Sequence, residues 1–400
     1  MSSSAQSRPS ALAADPWSWR AAFRVAWSAY WPLRLLLLAL GALGALLAMA
    51  AQPQSLGGWL DRLFLSTWNY QDMPWYLKIA EHGYAVPDGR AAFHPLLPLL
   101  MGGLGRVLGG QFILAGFIVN DLACLGALAA FYKLAGLDHD QKAARNALDW
   151  LLYNPVGFVL LIPYTEALAL CFILLSFWFA RNDRWLAAGL SGALATLAKQ
   201  PAMVLPLVLL IEYVSRRRGR LLSWRSAQVL ASLALIGLGY LAYSAYRLIL
   251  DPLVNPSAGE FVQALVVSPR LSAYWGSRSG SQFEWVAKIV EFALAPDTYG
   301  WFWIELALTL LGLFLVACSL RRSRLSVAAY SLIMVFLITT IILPGDALMS
   351  TPRRFMLIFA VFIELGLWSS RSASRHRWRL VGLAVQVVLV LGFVMGKYVP

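Results

Sequence analysis

Charge is scarce in this chain. Only 13% of its 400 residues are Asp, Glu, Lys or Arg, while 60% are hydrophobic. A soluble domain carries about 25% charged residues, so the composition argues against a soluble protein and for one that crosses a membrane several times. Cysteine is rarer still. Cys124, Cys171 and Cys318 all fall inside apolar runs with no pair at ligand spacing, which gives neither a disulfide framework nor a cysteine metal centre. No P-loop and no Gly-x-Gly-x-x-Gly pattern is present. Acidic residues are few as well, 20 against 33 basic, for a net charge of +13. Nucleic-acid binding would need that excess on one soluble face. Here it is spread over short loops between apolar runs, as the positive-inside rule expects.

A membrane span needs about twenty apolar residues, fewer inside a bundle. Such runs are predicted at 30–51, 111–135, 147–163, 165–181, 185–198, 201–214, 226–249, 300–319, 325–343, 354–369 and 380–397. The expected fold is an all-α polytopic bundle of about 11 transmembrane or hairpin helices. The pair 185–198 and 201–214, broken by Lys199-Gln200-Pro201, reads as a hairpin that does not fully cross. The Gly- and Pro-rich stretch 95–109 reads as an interfacial or re-entrant helix. No small-residue cleavage pattern follows the first run, so it is a retained anchor. Residues 1–29 are then a cytoplasmic tail, and 30–400 form the transmembrane domain, with outer loops at 52–110 and 251–299.

With the N-terminus inside, the basic residues from Arg20 and Arg24 through Lys133, Arg145, Arg181, Arg184, Arg216 to Arg218, Arg321 to Arg324 and Arg371 to Arg379 fall on one side. The first outer loop, Pro163-Tyr-Thr-Glu166, Lys199-Gln200 and the approach to Arg354 fall on the other.

The first outer loop stands out. Asp72-Met-Pro-Trp-Tyr-Leu-Lys-Ile-Ala-Glu-His-Gly-Tyr84 leads to Ala92-Phe-His-Pro-Leu-Leu-Pro-Leu-Leu100, and it gathers Asp72, Lys78, Glu81, His82, Asp88, Arg90 and His94 in a chain that otherwise avoids charge. Asp72, Tyr76, Ile79 and Ala80 recur at helical spacing. A polar segment of this size between spans reads as an active-site loop.

These residues resemble the first luminal loop of the PIG-V family, mannosyltransferases of the glycosyltransferase C superfamily. Asn154-Pro155, Tyr164-Thr165-Glu166, Ala195-Thr-Leu-Ala-Lys199 and Ser350-Thr-Pro-Arg-Arg-Phe355 follow in the family's order, so the resemblance runs over roughly residues 60–370. Gln71 replaces the family's usual Trp, His94 its second Phe, and Lys199 its usual Arg.

The resemblance implies transfer of mannose from a polyprenyl phosphate donor to an acceptor hydroxyl at the extracytoplasmic face, with inversion and without a nucleotide site. Such a reaction needs a carboxylate to take the acceptor's proton, cations for the departing phosphate and an apolar groove for the lipid chain. The resemblance makes Asp72 the base; a helix cap is the alternative, since Pro74 follows it. Lys199, Arg353 and Arg354 are the candidate phosphate ligands, an interfacial anchor or a pair with Asp346 being the other readings of the two arginines. His82, Tyr84, Arg90, His94, Tyr164 and Glu166 complete the candidate substrate-binding set, with Glu166 also read as a helix N-terminal acid. His82 and His94 lack a third ligand at short spacing, so no metal or other cofactor is assigned. Asn120-Asp121 is open between a helix contact and a cavity wall. Trp275 and Trp285 are open between sugar stacking and interface marking. The partners are the lipid-linked donor, a lipid-linked or glycolipid acceptor and membrane lipid. A transporter or flippase for a lipid-linked sugar, or an enzyme using another such sugar, are the alternatives. The Ala-, Leu- and Arg-rich composition points to a bacterial cell membrane.

Overall fold

The computed structural model describes residues 15–49, 56–84, 88–216, 224–250, 278–295, 300–342, 348–372 and 377–397. Helices dominate. The strands among the described residues are a two-residue ladder in which Arg278–Ser279 (β1) pairs antiparallel with Ile341–Ile342 (β2).

Helix α1, Trp19–Met49, starts before the expected span and takes in part of the supposed cytoplasmic tail. The first outer segment folds as α2, Leu56–Phe64, α3, Met73–His82, and α4, Leu96–Val107. Helices α5 to α10 follow at Phe112–Ala135, Gln141–Tyr153, Thr165–Arg181, Trp185–Ala198, Leu205–Arg216 and Trp224–Leu250. The C-terminal part contributes α11, Gln282–Ala293, α12, Gly300–Leu320, and α13, Leu325–Thr340. It ends with α14, Thr351–Phe355, α15, Phe359–Ser370, and α16, Trp378–Val394.

Among the described residues, four helices are long and apolar enough to cross a membrane: α1, α5, α10 and α12. The protein is an integral membrane protein of all-α architecture. Several of the shorter helices have an exposed apolar face, such as Leu186 and Leu190 of α8 and Leu332 and Phe336 of α13. Helix α7 is apolar on every face and buried along almost its whole length, packed against α5, α8 and α9.

The span expected over 147–163 does not form. Asn154 turns its amide back to the carbonyls of Trp150 and Leu151, at 3.3 and 2.9 Å, and Pro155 cannot donate a bond to continue α6. A 3-10 run, Gly157–Leu160, follows. Irregular backbone this deep needs polar partners. Arg34 donates to the Leu161 carbonyl at 2.8 Å and Asn120 to that of Leu160 at 2.9 Å, while Arg34 also pairs with Asp121 at 2.9 Å. Asn120-Asp121 is thus a contact between helices. Similarly, the run expected over 354–369 divides into α14 and α15 at Met356 to Ile358.

The bundle has two chemically different ends. Helix α7 runs from Thr165 to Arg181, 17 residues or about 25 Å at 1.5 Å per residue. At its far end Arg181 pairs with Asp138 at 2.6 Å, and Arg324 reaches Glu212 at 3.3 Å. Helices α8 and α13, 14 and 16 residues long, run from Arg184 and Arg324 at the basic end to Lys199 and Ile341 at the other. That second end carries the cavity described next.

Candidate active site

A cavity of about 380 Å³ opens at the end of the bundle where α3, α7, α8, α13 and α14 converge. Asp72 enters from the start of α3. Its backbone is the last residue before the helix, yet its side chain makes no capping bond. It pairs instead with Arg353, Oδ2 to Nη2 at 2.5 Å, across 281 positions of sequence. The capping alternative is therefore not what the carboxylate does here.

Arg353 is shared. Its Nε lies 2.8 Å from Glu166 Oε1, and its guanidinium carbon sits 5.0 Å from the centre of the Tyr164 ring. The same Glu166 oxygen accepts from Lys199 Nζ at 3.0 Å, and Lys199 also donates to Thr165 Oγ1 at 3.2 Å. Two carboxylates and two cations thus form one chain of contacts from Asp72 to Lys199. Burial works against Arg353's charge, but Asp72 and Glu166 more than offset it, so the guanidinium stays ionised. Burial also lowers the Lys199 ammonium from its ordinary value, with Glu166 opposing. Tyr76, whose hydroxyl is 3.5 Å from that of Thr165, is pushed well up by burial and by the Asp72 charge, and so stays protonated.

Local sequence explains the placement. Gln71 and Ser350 are two of the three non-glycine residues with positive φ among the described residues, at 55° and 57°. Strain of this kind concentrates at functional sites. Gln71 turns the chain just before Asp72, and Ser350 does so just before the short helix that carries Arg353 and Arg354. Lys199 has extended backbone where α8 stops, and Gln200-Pro201 opens the next turn.

The expected residues divide into three groups. Asp72, His94, Lys199, Arg353 and Arg354 line the cavity. Glu166 and Tyr164 lie behind them. Glu166 is 1% exposed and pairs with both Lys199 and Arg353. Tyr164 donates to the Tyr70 carbonyl at 3.2 Å. His82, Tyr84 and Arg90 are not part of the cavity wall. Arg90 is buried between Asp88, at 2.9 Å, and the Gly83 carbonyl, at 3.0 Å. Tyr84 donates to the Phe93 carbonyl at 2.8 Å. Both brace the loop, while His82 is exposed at the end of α3 beside Glu81. His94, on the cavity lining, donates from Nδ1 to the Thr196 carbonyl at 2.8 Å. Trp285 is buried against Phe302, Ile342 and Leu348, which removes it from sugar stacking. Trp275 and Asp346 lie outside the described residues.

The structure adds residues that the sequence reading left out. Gln71 lines the cavity with its amide nitrogen buried and without a hydrogen-bond partner, a donor available to a ligand. Thr165 links Tyr76 to Lys199. Met334, Leu337, Ile338 and Ile341 of α13 and β2 give the cavity lining an apolar part. Glu305 holds the turn before α14, Oε1 accepting from the Ser350 N–H at 3.2 Å. An acid five residues into an apolar run was the available signal for it.

No family model and no curated protein sequence matches the chain. Among solved structures, the oligosaccharyltransferase of Archaeoglobus fulgidus in its apo form is similar over 92% of this chain and 56% of that one, with 13% identity and a TM-score of 0.45. The oligosaccharyltransferase AglB of the same organism, in complex with an inhibitory peptide and a dolichol-phosphate, is similar over 93% and 56%, with 12% identity and a TM-score of 0.39. This chain spans little more than half the length of those proteins. At such scores the likeness assigns neither family nor activity, and function is argued from the cavity's own residues.

Proposed function

We propose that the protein is an inverting glycosyltransferase of the glycosyltransferase C type, moving a sugar from a polyprenyl phosphate to an acceptor hydroxyl at the extracytoplasmic face of a multi-pass membrane protein. The observation that carries this reading is the cavity's polarity. Its lining offers a carboxylate, Asp72, and three cations, Lys199, Arg353 and Arg354, together with the apolar side chains of Met334, Leu337, Ile338 and Ile341. A lipid phosphate has the same two-part character.

In the proposed reaction, the acceptor oxygen attacks the sugar's anomeric carbon and its proton passes to Asp72. The bond from that carbon to the phosphate oxygen breaks, and the polyprenyl phosphate leaves with the electron pair. Lys199, Arg353 and Arg354 stabilise the charge that develops on the leaving phosphate. Glu166 keeps two of those cations aimed at one place. Gln71 donates to a sugar hydroxyl, and α13 supplies the surface for the first prenyl units. Mannose as the sugar, and a bacterial cell membrane as the location, rest on the first-loop resemblance and on composition.

The alternative of a transporter calls for ionisable groups along a path through the membrane. Here those facing the cavity sit at one end of α7 and α8, which favours a one-sided site. Incubating the purified protein with polyprenyl phosphate mannose and a membrane lipid extract, followed by mass spectrometry, tests the reading. A new hexose-bearing lipid supports it; no hexosylated product across extracts overturns it.

A further inference from the structure

Asp72 and Arg353 touch where the sugar has to go. In an inverting transfer the base and the leaving phosphate stand on opposite faces of the ring, with the anomeric carbon between them. In inverting glycosidases, which share that geometry, the two acting groups are about 6.5–9.5 Å apart. Here the proposed base and the proposed phosphate ligand are 2.5 Å apart. That contact leaves no room for a ring.

Nor is it a loose surface pair. The Asp72 and Arg353 side chains are only 22% and 13% exposed. Arg353 also has a second anchor in Glu166, and it lies against the Tyr164 ring, so the guanidinium can leave Asp72 without losing its place in the wall. Arg353 Nε lies within ion-pair distance of Glu166, yet it is not aligned into a hydrogen bond.

We infer that in the ligand-free protein the Asp72 carboxylate occupies the place on Arg353 that the donor's phosphate takes, so that donor binding displaces Asp72 and frees it to act as base. This rests on the glycosyltransferase reading and adds a regulation of that site. One anion replaces another on Arg353, so the buried cation is never left without a partner. The released carboxylate then faces the space that the sugar has opened, where an acceptor hydroxyl can donate to it. The donor therefore binds before the acceptor. A carboxylate that stays paired until the donor arrives also guards against activating water in its place.

The test is a binding measurement that needs no transfer. Citronellyl phosphate, a short prenyl phosphate, is titrated into the full-length protein in nanodiscs, with citronellol as the neutral control. Asp72→Asn and Asp72→Ala remove the competing anion, and each is expected to bind citronellyl phosphate about tenfold more tightly than wild type. Citronellol binding should be the same in all three. Equal or weaker phosphate binding by folded variants overturns the displacement. If neither variant folds, infrared difference spectra of the wild type labelled with aspartate ¹³C-carboxylate decide. A carboxylate band shift with citronellyl phosphate and none with citronellol supports displacement, and no shift overturns it. Failure of this inference is separable from failure of the function. An Asp72→Asn protein that loses transfer but binds no tighter keeps the base and removes the displacement; one that binds tighter yet still transfers does the reverse.

Discussion

Glu305 of α12 accepts the backbone N–H of Ser350 at 3.2 Å, and Ser350 is the left-handed residue that turns the chain into α14. A carboxylate that is 0% exposed is thereby spent on aiming the two arginines of the next turn. Glu305→Leu should cost about 1–3 kcal/mol, the usual penalty for leaving a buried polar group unpaired, and should lower transfer. Glu305→Gln keeps an acceptor oxygen and should stay close to wild type in thermal unfolding. Equal unfolding temperatures for the Glu305→Leu variant and the wild type would remove this role from Glu305.

Glu166 is the shared anion of Lys199 and Arg353. Glu166→Gln leaves two neighbouring cations without it, and breaking a buried pair from one side costs about 3–5 kcal/mol. Adding Lys199→Met should recover part of that loss, because one of the stranded charges goes with it. A double-mutant cycle measured by unfolding gives the coupling directly. Strictly additive effects would mean that the two side chains do not interact in the folded protein.

The three cations should serve the donor more than the acceptor. Lys199→Ala, Arg353→Ala and Arg354→Ala are each expected to weaken the dependence on lipid phosphate and to slow transfer, with the acceptor dependence nearly unchanged. Initial rates at varied donor and at varied acceptor separate the two. Normal donor dependence in all three variants would move the phosphate site elsewhere.

The cavity should face away from the cytoplasm. With Cys318 replaced, a cysteine at the exposed Lys78 of α3 should react with an impermeant reagent in intact cells. One at the exposed Arg184, at the far end of α7 and α8, should react only after lysis. The opposite pattern would place the site on the cytoplasmic side.

What could be read from the chain follows from how each residue finds its partner. Helix α8 begins and ends where its apolar run does, Trp185 to Ala198, because Lys199, Gln200 and Pro201 interrupt both hydropathy and hydrogen bonding. Asp72, Lys199 and Arg353 are legible as charges set against apolar helix ends, where burial has a cost. Their mutual pairing is not, since Asp72 and Arg353 are 281 positions apart. Arg90 shows a different case: its loop position suggests a ligand contact, but in the fold its side chain is held by Asp88, two residues away, and by the Gly83 carbonyl. The long apolar stretch around Asn154 reads as a span because hydropathy does not register that an asparagine folding back on its own carbonyls and a following proline stop a helix. Glu305 is legible as a lone acid in an apolar run, but its partner is not, since the Ser350 N–H lies 45 positions away.

The proposed reaction turns on Asp72, as the base for an acceptor hydroxyl in a sugar transfer from a lipid phosphate. The most direct measurement is the transfer rate from polyprenyl phosphate mannose in proteoliposomes, comparing wild type with Asp72→Asn at matched protein and donor occupancy. The amide keeps the shape of the side chain but cannot accept the proton, so the rate should fall about 10²–10⁴-fold while the protein still binds donor. An Asp72→Asn protein that transfers within a few-fold of wild type would contradict the account.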